Sequence, residues 1–165
     1  MKKLNVFLLL FCTLTIAVQA QWTTLNSGTT DDLYAVRFSD VDNGLVTGEN
    51  GKILKTTNGG ASWTIVPCST TTRLNSIVYT SPTTIYIAGY DGTVLKSTDS
   101  GNSWTSLNTG TFKHLTSVYF LDANTGFAAG ESGEIIKTSD AGNTWTKLTS
   151  GVSDYLHTIC FTTPD

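Results

Sequence analysis

Apolar and polar residues alternate along LYAVRF (33–38), LNSIVYT (74–80) and LTSVYFL (115–121). A two-residue period is that of a strand with one buried face. A turn follows each (SDVDNG, SPTT, DANTG), and then a short apolar run, LVTG, IYIAG or FAAG. KILKT, TVLKS and EIIKT read as a third strand, entered through Gly-x-x-Gly. WTIV, WTSL and WTKL read as a fourth, beginning at the tryptophan. The pattern predicts units of four short antiparallel strands, and beyond the N-terminal leader nothing carries a helical period.

The units keep phase. Trp22, Trp63, Trp104 and Trp145 are each 41 residues apart, and Leu33, Leu74, Leu115 and Leu156 follow the same spacing. Gly48, Gly89 and Gly130 recur with it, as do Gly51, Gly92 and Gly133. Four-stranded sheets repeating at this interval predict an all-β fold, a β-propeller. A β-sandwich is the competing fold, but its strands do not repeat a Trp and a turn in lockstep. No Trp-Asp pair supports the WD type. The expected blades run over about 33–68, 74–109 and 115–150. A closing strand is expected at 22–26, and the first strand of a further blade at 156–161. Residue 165 falls in mid-hairpin by phase, so the ring is expected to be incomplete here.

The turn before each tryptophan is the most repetitive stretch: TTNGGASW (56–63), STDSGNSW (97–104) and TSDAGNTW (138–145). A short side-chain oxygen at Asn58, Asp99 or Asp140 can accept the backbone N–H groups that a tight turn strands. Gly60, Gly101 and Gly142 suit a left-handed conformation. Trp63, Trp104 and Trp145 are expected to insert between sheets, and their burial to outweigh the turn's hydrogen bonds. The uncharged Asn58 argues that the turn needs no carboxylate chemistry. These octapeptides resemble the Asp-box, or BNR, repeat. With GYDGTVLK (89–96) and GESGEIIK (130–137), the unit is similar to those of photosystem II assembly factors and of exported bacterial propellers. The resemblance implies a propeller whose corner turns lie at the periphery, away from the face that binds ligands.

Residues 1–20 read as a secretory signal peptide: Lys2 and Lys3, an apolar run over 4–18, then Val18-Gln19-Ala20. A secreted, periplasmic or cell-surface location follows, with no membrane insertion after cleavage. Removing the two lysines from the 10 basic residues leaves 8 against 13 Asp+Glu, a net charge of −5. Such a chain has no general attraction for nucleic acid. Cys68 and Cys160 fall about two blades apart and read as buried thiols.

Chemistry is expected where the repeat diverges. The position before each phased leucine holds Asp32, Arg73, His114 and Tyr155 in turn, and the resemblance places these blade-joining loops on the ligand face. The loops after the second strands add Glu49, Tyr90 and Glu131 to that rim. Unconstrained solvated loop residues are the bland alternative. DVDNG (40–44) and DANTG (122–126) offer few oxygens and read as Asx turns, not calcium loops. No metal or cofactor is expected. Asp-box repeats also occur in sialidases and endoglucanases. A sialidase resemblance would require an arginine triad, and only Arg37 and Arg73 are present. A glycoside hydrolase of the endoglucanase type, with catalytic parts partly outside this chain, is the alternative. The favoured reading is a non-catalytic scaffold that binds a protein or glycan partner.

Overall fold

The computed structural model describes residues 23–162. The leader and Trp22 lie outside them. Three antiparallel sheets of four strands each follow one another along the chain. The first contains β1 (Leu33–Phe38), β2 (Gly44–Gly48), β3 (Ile53–Thr56) and β4 (Thr64–Ile65). The second contains β5 (Leu74–Tyr79), β6 (Ile85–Gly89), β7 (Val94–Ser97) and β8 (Thr105–Leu107). The third contains β9 (Leu115–Phe120), β10 (Gly126–Gly130), β11 (Ile135–Thr138) and β12 (Thr146–Leu148). Within each sheet the strands lie in sequence order, so each sheet is a meander. The fourth strands begin one residue after the tryptophan.

The sheets fan out as propeller blades. The first strands β1, β5 and β9 stand side by side and line a shared channel with Ser76, Ser117 and Thr158. Side chains tie each inner strand to the next. Ser76 Oγ accepts from Val118 N–H (3.2 Å), and one repeat later Ser117 Oγ accepts from Ile159 N–H (3.2 Å). Asn75 Nδ2 donates to Leu115 O (2.8 Å), and Thr116 Oγ1 donates to Leu156 O. Two apolar clusters fill the space between blades. One is built on Leu45, Ile53, Ile77, Ile85 and Leu95; the other on Tyr86, Val94, Val118, Ala128 and Ile136. The second strands are the most deeply buried, which is why they carry runs of apolar residues instead of alternation.

The corner turns behave alike in all three blades. Asp99 Oδ1 accepts from the N–H groups of Asn102 and Ser103, both at 2.9 Å, and from Ser97 Oγ at 2.7 Å. Its Oδ2 accepts from Ser103 Oγ (2.6 Å). Asp140 repeats this toward Thr138 and Thr144. Asn58 substitutes cleanly: Oδ1 accepts from Ser62 N–H (3.0 Å) and Thr56 Oγ1, while Nδ2 donates to Ser62 Oγ (2.9 Å). Hydroxyl and N–H donors, Ser103 foremost, hold the Asp99 carboxyl well below the usual range, and Thr144 lowers that of Asp140. Two successive residues are left-handed, Ser100–Gly101 (φ 61° and 79°) and Ala141–Gly142 (58° and 85°). The indoles are half-buried: Trp104 and Trp145 pack onto the clusters, Trp63 meets Phe38 edge-on, and Trp63 and Trp145 lie against the glycine of their own turn.

The second and third corner turns also cap the preceding blade. Ala141 O accepts from both Tyr86 Oη (2.8 Å) and Lys96 Nζ (2.9 Å), and Leu45 covers Gly101.

Three expectations are corrected. Residues 23–26 form no strand, and 156–161 join no ladder among the described residues, although Leu156 N–H reaches Gly130 O at 3.0 Å. A strand needs a partner edge as well as the right residues, and among the described residues neither segment has a complete one. Cys160 is consequently exposed, covered from one side only, and is not a buried thiol. Cys68 is half-buried; its thiol donates to Gly51 O (3.2 Å), and both cysteines are free.

Candidate functional site

The blade-joining loops and the β2–β3, β6–β7 and β10–β11 loops lie together at the end opposite the corner turns. Backbone bonds stitch them. Glu49, Tyr90 and Glu131 N–H donate to the carbonyls of Asp32, Arg73 and His114 at 2.8–2.9 Å. Gly51, Gly92 and Gly133 N–H reach Thr72, Lys113 and Asp154 in the following loop at 2.7–2.9 Å. The phased glycines permit this approach. A Cβ on Gly48, Gly89 or Gly130 would collide with the carbonyl of residue 32, 73 or 114, and one on Gly92 with Thr111. The rim residues are therefore neighbours because the glycines let two loops touch.

Arg73 is the best-held of them. Its guanidinium carbon stands 3.5 Å above the Tyr34 ring and 5.1 Å from that of Tyr90. Nε donates to Asn75 Oδ1 (2.8 Å), and Nη1 lies 3.9 Å from Glu49 Oε1. Asn75 is fixed in turn by its bond to Leu115 O. Tyr34 Oη donates to the same Glu49 oxygen (2.7 Å), and this bond pushes the Tyr34 phenol up. No bond among the described residues takes up Nη2. Tyr90 stacks on His114 with centroids 3.9 Å apart and planes at 12°. Nδ1 of His114 accepts from Asp91 N–H (3.1 Å), and the Asp91 carboxylate lies 3.5 Å from the same nitrogen.

A cleft of about 320 Å³ opens beside this stack, lined by Tyr34, Arg73, Tyr90, Tyr155 and His157, with Asn75 and Thr116 at its floor. Burial, together with the Glu131 charge, pushes the Tyr155 phenol up, and the cleft sets three phenol rings around the Arg73 guanidinium. Of the seven rim residues, Arg73, Tyr90 and Tyr155 face the cleft. Glu49 braces Arg73 and His114 backs Tyr90. Glu131 stands apart, accepting from His114 N–H (3.2 Å), which holds its carboxyl low, and facing Lys113 at 3.5 Å. Asp32 contributes its carbonyl, and its side chain is exposed.

The family model for the photosynthesis system II assembly factor YCF48 matches residues 14–146. This chain belongs to the YCF48 family. Solved structures agree in fold. YCF48 bound to D1 peptide superimposes with a TM-score of 0.71 at 23% identity, over 82% of this chain and 45% of that one. YCF48 from Cyanidioschyzon merolae gives 0.68 at 23%, over 81% and 44%. An ancestral GH74 enzyme gives 0.61 at 20% identity, over 70% of this chain and 18% of that one. The chain thus spans less than half the length of these YCF48 structures. No curated protein matches it.

Residues 34, 75, 116 and 157 of this YCF48-family chain line the cleft and were missed by reading loops alone. They are in phase and hold Tyr, Asn, Thr and His, the same divergence from copy to copy that marks the rim position two residues earlier. Asp40 and Asp122 serve as turn acceptors for Asp42, Asn43, Asn124 and Thr125 N–H. Among the described residues no cluster of His, Cys, Asp or Glu could hold a metal ion.

Proposed function

We propose that this protein is an exported, non-catalytic scaffold that holds a polypeptide segment in the Arg73 cleft. One observation carries the reading. A guanidinium is gripped by two tyrosine rings, an asparagine and a glutamate, with an edge left over beside a third phenol, Tyr155, and an imidazole. Such a group is pre-organised for a carboxylate, and fixing it beforehand reduces what binding must order. Arg and Tyr are also the side chains that dominate protein interfaces. Family membership supports the class, as does the solved YCF48 that carries a D1 peptide. The basic and apolar leader supports export.

Glycan cleavage finds no comparable support. Glu49 is engaged by Tyr34 and Arg73, and Glu131 by His114 N–H and Lys113. Neither is a free acid facing a free base.

An array of acidic, neutral and basic peptides tests the proposal. The chain should retain acidic peptides, and Arg73→Gln should weaken that retention about tenfold or more, the loss typical of a central anchor. Equal retention by the variant, or release of sugar from polysaccharides by the purified chain, would refute it.

A further inference from the structure

Positions 45, 86 and 127 are equivalent in the repeat, as are 79, 120 and 161. In two copies these positions hold an aromatic pair. Tyr86 lies on Phe120 with centroids 4.0 Å apart and planes at 21°, and Phe127 lies near Phe161 at 4.8 Å and 38°. Tyr86 is fully buried, and it shares the Ala141 carbonyl with Lys96.

The first copy departs from this. Leu45 stands where Tyr86 would, packed in the cluster that Tyr79 borders. Ser100, the equivalent of Ala141, keeps the left-handed backbone, but its carbonyl receives neither donor. Leu45 has none to give, and Lys55, the equivalent of Lys96, turns to Asn102 Oδ1 at 2.7 Å. A pocket of about 200 Å³ remains between the first and second blades, walled by Leu45, Tyr79, Pro82 and Ser100, with Asp40 and Lys55 at its edge.

We propose that this pocket binds a phenolic ring, in the place that the Tyr86 side chain fills one blade further on. The size is right, since an apolar cavity of about 150 Å³ takes up benzene. Tyr79 offers a stacking face, as Phe120 does to Tyr86. The Ser100 carbonyl accepts the ring's hydroxyl, and Leu45 packs beneath it. Burial, with Asp40 nearby, pushes the Tyr79 phenol up to about 12, which keeps that wall uncharged at neutral pH. The Asp40 carboxylate already accepts from Asp42 and Asn43 and is offset by Lys55 at the same edge, so a benzoate is disfavoured because it has no proton to give the Ser100 carbonyl. The pocket is thus selective for a neutral phenol over a benzoate, whether the ring is a free metabolite or a tyrosine of a partner. It opens at the corner-turn end, remote from the Arg73 cleft, and does not depend on that cleft's role.

p-Cresol, titrated into the whole chain and followed by NMR, tests this. Resonances of Tyr79, Ser100 and Leu45 should shift, with NOEs from the cresol ring to the Leu45 methyls. Toluene should bind about fivefold more weakly for want of one neutral hydrogen bond, and 4-methylbenzoate should not bind. Leu45→Tyr, which restores the missing side chain, should abolish p-cresol binding, as should Leu45→Phe if the tyrosine variant does not fold. N-acetyl-tyrosinamide separates the sources: binding like p-cresol assigns the pocket to a polypeptide tyrosine, and exclusion assigns it to a free phenol. Shifts confined to other residues, or unchanged p-cresol binding by either variant, would overturn the proposal.

Discussion

Replacing Trp104 with alanine should cost far more stability than replacing Asp99 with asparagine. The indole is half-buried and packs against the cluster that contains Leu45 and Ile85. Full truncation of a buried tryptophan costs about 3–5 kcal/mol. Half-exposure, and the loss of a buried Nε1 with no acceptor, place Trp104→Ala near the lower end. With a urea dependence of about 2 kcal/mol per molar, a loss of about 3 kcal/mol lowers the unfolding midpoint by roughly 1.5 M. Asp99→Asn loses little by comparison. Its Oδ1 keeps the Asn102 and Ser103 N–H bonds, and its amide nitrogen donates to Ser103 Oγ, as Asn58 donates to Ser62. The difference should depend on pH in a definite sense. The Asp99 carboxyl is lower in the folded chain than unfolded, so its stabilisation is present above the ordinary carboxylate range and fades as pH falls through the folded value. The gap between wild type and Asp99→Asn should therefore close on acidification. Urea melts at neutral pH and in acid decide the matter. Equal midpoint losses for the two variants, or a gap that widens in acid, would refute this account of the corner.

Ala141→Gly should raise the thermal midpoint, by about 0.5–1 kcal/mol in stability, because alanine is strained at φ 58° and Gly59 already fills the same place in the first blade. Gly92→Ala should cost at least about 2 kcal/mol and loosen the rim, since its Cβ meets Thr111 O at φ 67°; a denaturant melt reads this directly. Lys147→Met should destabilise by about 1–3 kcal/mol because it leaves Glu134, whose side chain is 3% exposed, without its 2.6 Å partner; adding Glu134→Gln should recover most of that in a double-mutant cycle. In the native chain, Cys160 should react with a thiol reagent well before Cys68.

Much of the fold was legible because this repeat writes its constraints locally. The glycines at 48, 51, 89, 92, 130 and 133 mark places where backbone meets backbone, and the Asp-x-Gly turns need only neighbours within four residues. The rim positions stand out for the opposite reason, as breaks in an otherwise exact phase. Residues such as Tyr34 and Asn75 were overlooked because they sit inside a strand, where polar positions suggest a solvated face. Their role depends on the next inner strand, 40 residues away, which accepts from Asn75. The same non-locality explains the segments at 23–26 and 156–161: alternation announces a strand, but its ladder is made elsewhere. The size change between Leu45 and Tyr86 was visible in the letters and carried no meaning until the Ala141 carbonyl was seen between blades.

That carbonyl gives the stack a polarity. Lys96 and Tyr86 reach forward to a corner belonging to their successor, and Lys55 reaches forward to Asn102. Damage at one corner should accordingly spread backwards: loosening the 139–143 turn should speed amide exchange in the second sheet as well as in the third, to which the turn belongs. A fan held in this manner behaves as a row of nearest-neighbour couplings with a direction, each unit leaning on the one made after it.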